Sequence, residues 1–289
     1  MQGVLPDASA FLVGGLPSRR WFSEAVLRSG AATGEPVTMS ANLPPKTRAA
    51  LNLLERQMGL RLPEEVRIEL RSNIPWGKGL SSSSTDILSV LCVANAFLRA
   101  QLGPGDLYRI AAQVEPTDPC LCDDISVFYQ HTGSRGASID LPPVTLLYFD
   151  AAPGTSVDTQ AMPDRWHPGA GRFFSWLLRR LIGAAADADY ERLFDAITYS
   201  AEYNQQLLPL PGFAELYRLA EESHAGLMVA HSGTVAGLLT TPDRAAELLP
   251  GVEALAESRR SAPTPTPTVY LEHYNSPYHQ TLCTVFPAR

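Results

Sequence analysis

Dense positive charge and long apolar runs are both missing from this sequence of 289 residues. Lysine and arginine total 23 against 30 aspartates and glutamates, and the formal net charge is −7. Because a nucleic-acid-binding face needs clustered basic residues, we expect no nucleic acid partner. The longest apolar run, residues 87–98, is interrupted by Ser89 and Asn95 and stays below the roughly 20 residues of a membrane helix. The sequence therefore predicts a protein that binds no nucleic acid and does not span a membrane.

Cysteine is scarce, and the sequence shows no export signal. Cys92 and Cys283 fall within a predicted apolar helix and strand, where burial explains them. Cys120 and Cys122 form a C-x-C beside several aspartates, which raises the alternative of a metal site. A zinc ribbon, however, has C-x₂-C spacing and a second pair. The segment MQGVLPDASAF lacks the basic and apolar regions of a signal peptide, so we expect a cytoplasmic protein.

Hydrophobic periodicity predicts both helices and strands along the chain. The predicted helices cover residues 46–57, 84–98, 106–115, 172–186, 190–207, 213–224 and 241–249. The predicted strands cover residues 66–71, 125–130, 138–141, 144–150, 225–230, 235–240, 268–274 and 281–286. Residues 132–136, TGSRG, are expected to form a turn. Thr241 and Pro242 are expected to cap and begin the last helix.

A segment rich in proline, glycine and alanine, residues 151–171, has little periodicity and is expected to be a linker. We therefore predict two domains, residues 1–150 and residues 151–289. After the linker, several helices are followed by a strand pair, a helix and more strands. That order is typical of helices packed on one face of an antiparallel sheet. Alternating prolines in residues 261–268 predict an extended spacer.

The segment IPWGKGLSSSSTDI, residues 74–87, lies between a predicted strand and a predicted buried helix. Free backbone N–H groups and the positive end of the helix dipole make such a place an anion site, for which phosphate is the expected ligand. A Walker A loop would need glycine where Ser72 stands and serine or threonine where Gly79 stands, so this motif is excluded. A solvated serine-rich helix cap remains the simple alternative.

Three segments carry a family resemblance. The run Pro75-x-x-x-Gly79-Leu80-Ser81-Ser82-Ser83 resembles the P-x-x-x-G-L-G-S-S phosphate loop of the GHMP kinase superfamily, with Ser81 replacing the usual glycine. Residues 114–118, VEPTD, resemble the E-P-[ST]-D segment of the L-threonine kinases of cobamide side-chain synthesis. Residues 230–234, AHSGT, resemble the A-H-S-G-S turn of the same branch. Their order along the chain makes the resemblance specific.

The resemblance implies an ATP-binding site and a magnesium site. The residues implied to bind ATP are Pro75, Gly77, Lys78, Gly79, Leu80, Ser81, Ser82, Ser83 and Ser84. Ser83 and Glu115 match the superfamily residues that coordinate Mg²⁺. Lys78 is implied to neutralise phosphate charge, and ATP and Mg²⁺ are the expected cofactors. The simple alternative for Glu115 is a solvated carboxylate at a helix end.

The acceptor side of the site is implied by the second and third motifs. Asp118 is our candidate for orienting or deprotonating the acceptor hydroxyl, with Asp86 and Asp124 as rivals. Asp86 would alternatively be only a first-turn acid that interacts well with the helix dipole. A tight turn alone would also explain the third motif. The residues implied to bind the substrate are Thr117, Asp118, Asp124, His231, Ser232, Gly233 and Thr234.

The implied fold is an α+β GHMP kinase-like fold with a ribosomal S5 domain 2-like N-terminal domain and a ferredoxin-like C-terminal domain. The implied reaction transfers the γ-phosphate of ATP to the side-chain hydroxyl of L-threonine or a related hydroxy amino acid. Phosphoryl transfer needs mainly positioning and charge neutralisation, which a loop, a metal and a carboxylate can supply.

Two departures from the family pattern leave alternatives open. Family members begin with a strand bearing P-G-[ST]-x-G-E, whereas this sequence starts just before Gln2 and Gly3. Either the start codon was assigned late or that strand is absent. If it is absent, a sheet edge would be exposed, and a homodimer would be one way to cover it. Residues 119–125, PCLCDDI, differ from the G-x-x-x-P-G of the branch. The alternatives are the same chemistry on another hydroxylated metabolite of a specialised biosynthetic pathway, or a non-catalytic relative that binds a nucleotide or another ligand.

Overall fold

The computed structural model describes residues 1–7, 9–14, 16, 18–29, 43–122, 124–157, 166–260 and 267–274. Within these ranges lie the helices α1 (Pro45–Met58), α2 (Ser82–Leu98), α3 (Pro104–Ala112), α4 (Ala170–Ala186), α5 (Tyr190–Leu207), α6 (Phe213–Glu222) and α7 (Ala245–Ser258). The strands are β1 (Gln2–Val4), β2 (Ala10–Gly14), β3 (Ser23–Ser29), β4 (Val66–Ser72), β5 (Ser126–Tyr129), β6 (Ser134–Ser138), β7 (Val144–Asp150), β8 (Gly226–Val229), β9 (Val235–Thr240) and β10 (Tyr270–Tyr274). Among the described helices, none has the length and apolarity to span a membrane.

The first half of the chain builds one sheet, one ribbon and three helices. The sheet is antiparallel with strand order β1-β2-β5-β6, and β3 and β4 form a separate two-stranded ribbon in which Ser23 lies opposite Ser72. Helix α2 is the central helix because it buries side chains on more than one face. Its fully buried side chains include Ile87, Leu88, Val90 and Leu91. These buried side chains anchor α2 in the core and so fix the position of its first turn.

The second half builds an antiparallel sheet with strand order β10-β7-β9-β8. Helices α6 and α7 pack on it through a shared apolar cluster that includes Leu147, Leu216, Leu227, Leu238, Leu248 and Val252. Helices α4 and α5 pack against each other and against β1 and β8 respectively. The mixture of helices and antiparallel sheets confirms the predicted α+β class.

The two halves share buried side chains. Val4 and Phe11 from the first sheet belong to the same apolar cluster as Phe174 and Leu177 of α4, and the rings of Phe11 and Phe174 meet edge to face. In addition, β7 pairs with β9 and β10 although it precedes the predicted linker. The boundary between residues 150 and 151 stays a prediction, and the pairing of β7 counts against placing it there.

Most predicted elements are confirmed within a few residues. The predicted strand 138–141 is wrong, because β6 covers residues 134–138, and β1, β2 and β3 were not predicted. Only the first two residues of TGSRG belong to the turn, which covers residues 130–133 with Gly133 at a φ of +66°. Residues 134–136 belong to β6. Helix α7 begins at Ala245 rather than at residue 241, and it continues through Pro250 to Ser258. The predicted strand at 281–286, Cys283 and most of the predicted spacer lie outside the described residues.

Candidate active site

The glycine- and serine-rich loop turns sharply before α2. Gly77, Gly79 and Ser81 have φ of +70°, +79° and +61°, so three positions adopt the left-handed region. The family glycine that Ser81 replaces therefore falls at a position where an L-residue is strained by about 1–2 kcal/mol. Such alternation of backbone conformation turns successive N–H groups toward one side and forms an anion-binding concavity.

Helix α2 begins with donors that have no partner within the helix. The first helical hydrogen bond runs from the Thr85 N–H to the Ser81 carbonyl (2.9 Å), and no side chain caps this end. The amides that precede Thr85 are therefore the orphan donors of a helix N-terminus. They point where the helix dipole favours negative charge. This arrangement can bind a phosphate group.

The third motif packs directly on the loop. The Val235 N–H donates to the Lys78 carbonyl (3.3 Å), and a Cβ on Gly79 would lie 2.5 Å from the Cβ of Ala230 and 3.2 Å from the Cα of Gly233. A Cβ on Gly233 would in turn collide with the backbone of Lys78 and Gly79. Both glycines are required by this close approach of two backbones. The structure thus brings together two motifs that lie about 150 residues apart in sequence.

Lys78 does not point into the loop that contains it. Its ammonium forms an ion pair with Asp150 (2.7 Å) and donates to the carbonyls of Ala152 (3.0 Å), Pro153 (3.2 Å) and Thr155. Only 12% of the Lys78 side chain is exposed. This position argues against the predicted phosphate-neutralising role. Lys78 instead fastens the loop to the segment that follows β7.

Glu115 and Thr117 carry buried polar atoms that have no partner within the described part of the chain. One oxygen of Glu115 pairs with the Lys46 ammonium, whereas Oε1 is buried without a hydrogen bond. The Oγ1 of Thr117 is likewise buried without a partner. Because unpaired buried polar atoms are rare and costly, both atoms mark a place where a ligand can supply the missing interaction. A carboxylate oxygen is a preferred magnesium ligand.

Asp118 lies between the loop and the first sheet. Its Oδ1 accepts from Gln130 Nε2 (2.7 Å), and its backbone N–H donates to Ser84 Oγ (3.2 Å). Burial raises the pKa of Asp118, the charge of Glu115 raises it further, and hydrogen bonds from Ser81 and Gln130 oppose the rise. Asp118 is therefore a partly buried carboxylate with raised basicity, in contact with both the first turn of α2 and the loop.

Asp86 has a structural environment. Its Oδ1 accepts from Ser23 Oγ (2.7 Å), and Ser72 also hydrogen bonds to the carboxylate. Burial raises the pKa of Asp86, and the two hydroxyls oppose that rise. Since Ser23 and Ser72 are paired at one end of the β3–β4 ribbon, Asp86 ties α2 to this ribbon. These contacts argue against a role for Asp86 at the acceptor hydroxyl.

Asp124 lies at the far end of β5 from Asp118. It pairs with Arg135 and accepts from Ser138 Oγ, and Ser138 is opposite the first residue of β5. Gln130, which binds Asp118, follows the last residue of this strand. About 13 Å of strand separates the two ends. Asp124 is therefore not brought together with the loop, contrary to the prediction.

The remaining residues of the third motif connect to other elements. His231 Nε2 accepts from the Gln2 backbone N–H (3.2 Å) and lies 3.1 Å from Ser200 Oγ. Thr234 Oγ1 donates to Asp150 Oδ1 (2.6 Å). Asp150 also pairs with Lys78, so it connects the third motif to the loop. Ser232 is partly exposed at the tip.

The C-x-C cysteines have protein partners. Cys120 Sγ accepts from Thr85 Oγ1 (3.3 Å), and Cys122 Sγ accepts from the Tyr108 hydroxyl (3.5 Å). Burial raises the pKa of Cys120, which disfavours the thiolate that zinc requires. Among the described residues, no three His, Cys, Asp or Glu side chains are grouped for a metal ion.

Comparison with known proteins identifies the family. Residues 45–131 match the GHMP kinases N terminal domain. An L-threonine kinase from Citrobacter freundii is 31% identical over 232 residues, which cover 78% of this chain and 77% of that enzyme. The chain belongs to the GHMP kinase family. A homoserine kinase from Lactobacillus gasseri is 25% identical over 185 residues, covering 61% of this chain and 63% of that enzyme.

A solved GHMP kinase fold matches nearly the whole chain. The Streptococcus pneumoniae phosphomevalonate kinase, in complex with phosphomevalonate and AMPPNP, superposes with a TM-score of 0.64. The match covers 86% of this chain and 89% of that enzyme at 12% identity. This likeness confirms the predicted GHMP kinase-like fold.

Four residues of the site were missed by sequence analysis: Lys46, Gln2, Gln130 and Asp150. Lys46 pairs with Glu115, and Asp150 anchors Lys78. Gln2 and Gln130 hydrogen bond to each other and lead to Asp118. No local pattern marks these residues. A polar residue directly after a buried strand, as at Gln130, is the only signal that the sequence offered.

Proposed function

We propose that this GHMP kinase transfers the γ-phosphoryl group of ATP to the side-chain hydroxyl of L-threonine or a closely related hydroxy amino acid. The observation that carries the proposal is the contact between the uncapped start of α2 and Asp118, made through Ser84. The proposed phosphate site at the start of α2 would then lie beside the basic carboxylate of Asp118. The L-threonine and homoserine kinases among the relatives support a hydroxy amino acid as the acceptor.

The residues at the start of α2 fit the phosphates of ATP. The orphan amides before Thr85 would donate to phosphate oxygens, and the hydroxyls of Ser82 and Ser83 have no hydrogen bond within the described residues. Glu115 fits a magnesium ion because its Oε1 is buried and lacks a partner. Ser83 and Glu115 would hold Mg²⁺, which when bound neutralises phosphate charge.

Asp118 would receive the proton of the acceptor hydroxyl. Its raised pKa makes the carboxylate a better base than an exposed aspartate, while the bonds from Ser81 and Gln130 fix its orientation. The hydroxyl of Thr117, buried without a partner, would hydrogen bond to the acceptor. Positioning and charge neutralisation supply most of the catalysis in this class of reaction.

Phosphorus NMR tests the proposal directly. The purified chain is incubated with MgATP alone, and then with L-threonine, L-serine or L-homoserine. A new phosphomonoester resonance that depends on one of these acceptors is the expected result. If ATP is consumed only with hydroxylated metabolites that are not amino acids, the acceptor class is wrong. If ATP binds without turnover under all conditions, a ligand-binding relative replaces the kinase.

Two substitutions test the proposed metal residues. Ser83→Ala and Glu115→Ala should lower turnover by orders of magnitude while the protein still melts cooperatively. The matched controls are Ser258→Ala and Glu253→Ala on α7, because both residues are exposed and far along the chain from the loop. Turnover at the control level in the first pair of variants would refute the metal assignment.

A further inference from the structure

A chain of side-chain hydrogen bonds ends at Asp118 and starts outside the three motifs. Gln2 Nε2 donates to Gln130 Oε1 (2.6 Å), and Gln130 Nε2 donates to Asp118 Oδ1 (2.7 Å). The backbone N–H of Gln2 donates to His231 Nε2 (3.2 Å). The chain thus links β1, the end of β5, the third motif and the candidate base.

Gln130 holds the second motif at two points. Its carbonyl accepts from the Thr117 N–H (3.0 Å), and its side chain binds Asp118. Only 7% of Gln130 is exposed, so its amide must find partners inside the protein. A buried donor that faces a carboxylate makes a charge-assisted hydrogen bond, which is stronger and shorter than a neutral one. Gln130 therefore binds the second motif through its polar groups and does not merely fill space in the core.

The direction of the Gln130 amide is demanded by Asp118, whose carboxylate can only accept, and is supported by Gln2, whose Nε2 donates to the Gln130 oxygen. If the Gln130 amide were reversed, its NH₂ group would face the NH₂ group of Gln2, and its oxygen would face the Asp118 carboxylate. Both contacts would be repulsive, because a donor would meet a donor and an acceptor would meet an acceptor. In the observed orientation Gln2 stabilises the end of Gln130 that points away from Asp118, although Gln2 does not touch the carboxylate in this contact.

We infer that Gln130 is the positioning residue for Asp118 and that Gln2 keeps Gln130 in its working orientation. The inference rests on the proposed function, since it assigns the bonds around the candidate base a role in transfer. It deepens that function by naming two residues outside the family motifs. Neither residue contacts the loop through these bonds, so both act through Asp118 rather than on ATP.

The first test is kinetic and uses near-isosteric changes. Gln130→Leu removes the donor to Asp118 and should lower kcat by roughly 10- to 100-fold, as expected for a lost bond to a charged group. Gln2→Glu replaces the donor to Gln130 by an acceptor, so the Gln130 oxygen must face a carboxylate in either orientation of its amide. The bond to Asp118 should weaken, with a loss of kcat of similar size. In both variants the KM for ATP should stay within about twofold, because the loop is intact.

A second glutamine pair provides the matched control. Gln57 Nε2 donates to Gln113 Oε1 (3.2 Å) on the exposed surface between α1 and α3. Gln57→Glu makes the same chemical change as Gln2→Glu and should leave kcat unchanged. Unchanged kcat in both Gln130→Leu and Gln2→Glu would overturn the inference. If Gln130→Leu does not fold, Gln2→Glu alone decides, since Gln2 is only partly buried.

The second test does not need turnover. In protein labelled with ¹⁵N-glutamine, Gln130→Leu identifies the side-chain amide resonance of Gln130. One of its protons should be shifted downfield by the short bond to the carboxylate, and Asp118→Ala should abolish that shift. Gln57→Glu should leave it in place. A Gln130 resonance that Asp118→Ala does not move would overturn the inference even if no acceptor is ever phosphorylated. A shift that is lost as expected would support the contact independently of the reaction.

Discussion

Alanine at Gly79 would separate the two backbones that shape the phosphate site. Gly79 has φ of +79°, and its missing side chain leaves room for Ala230 and Gly233 of the third motif. In Gly79→Ala, the new Cβ would lie 2.5 Å from the Ala230 Cβ, whereas ordinary contact begins at 3.4 Å. The loop and the turn must therefore move apart by about 0.9 Å, from the difference of these two distances.

The expected cost has two parts that different assays measure. A displacement of about 1 Å in a group that positions the reactants can reduce turnover by roughly 100-fold. The left-handed backbone conformation adds a strain of about 1–2 kcal/mol, which lowers the free energy of unfolding. Steady-state ADP release with the acceptor found by phosphorus NMR gives kcat/KM for ATP, and thermal melting gives the stability. Calorimetric titration with AMPPNP measures the nucleotide affinity of the loop without turnover.

Gly59→Ala separates strain from displacement. Gly59 ends α1 with φ of +63°, and a Cβ there would have nothing within 4 Å. This variant should lose similar stability but keep the kcat/KM of the parent protein. If Gly79→Ala binds AMPPNP and turns over ATP as well as Gly59→Ala does, the close packing of the third motif on the loop has no functional role, and our reasoning is wrong.

Three further predictions concern the charged and buried groups of the site. Because burial raises the pKa of Asp118, kcat/KM for the acceptor should fall as the pH drops. The midpoint of the fall should lie above the pKa of about 4 of an exposed aspartate. A profile that stays flat down to pH values of about 4.5 would exclude Asp118 as the base. Lys78→Met should lower the free energy of unfolding by about 2 kcal/mol, because it leaves Asp150 without its cation. A loss of ATP affinity without a loss of stability would instead support the phosphate-neutralising role of Lys78. Thr117→Val removes a buried hydroxyl that has no partner among the described residues, so it should raise the free energy of unfolding by about 1 kcal/mol. It should also raise the acceptor KM, and a lower melting temperature would show that the hydroxyl is already paired.

Local patterns were sufficient for most helices and strands, and they failed where packing overrides them. The Thr241-Pro242 pair was used to predict a helix over residues 241–249, yet α7 runs through Pro250 to Ser258. An interior proline costs about 3 kcal/mol. Val252 and Ala256, downstream of the proline, are almost completely buried, and their packing offsets this cost. Such compensation cannot be seen from local sequence signals.

The candidate site was predictable only in the parts that have a motif. The phosphate loop and the third motif were found by resemblance, and the structure places them in contact. Lys78 and Asp124 were assigned roles through the family resemblance, whereas the structure gives each an ion-pair partner elsewhere. Gln130 was missed because a glutamine acquires its role from the partners that the fold brings to it. Charge pairing and amide direction are properties of the tertiary structure.

The phosphate site depends on both halves of the chain. Gly79 and Ser81 hold left-handed backbone conformations that are not favourable by themselves, apart from the freedom of glycine. The contacts that retain them come from the second sheet: Asp150 at the end of β7 holds Lys78, and the turn at Gly233 packs on Gly79. Residues 45–131, which match the N-terminal domain of the family, contain the loop but neither of these supports. It follows that a fragment limited to the matched segment would keep the serines of the loop while losing the backbone geometry on which the proposed phosphate site depends.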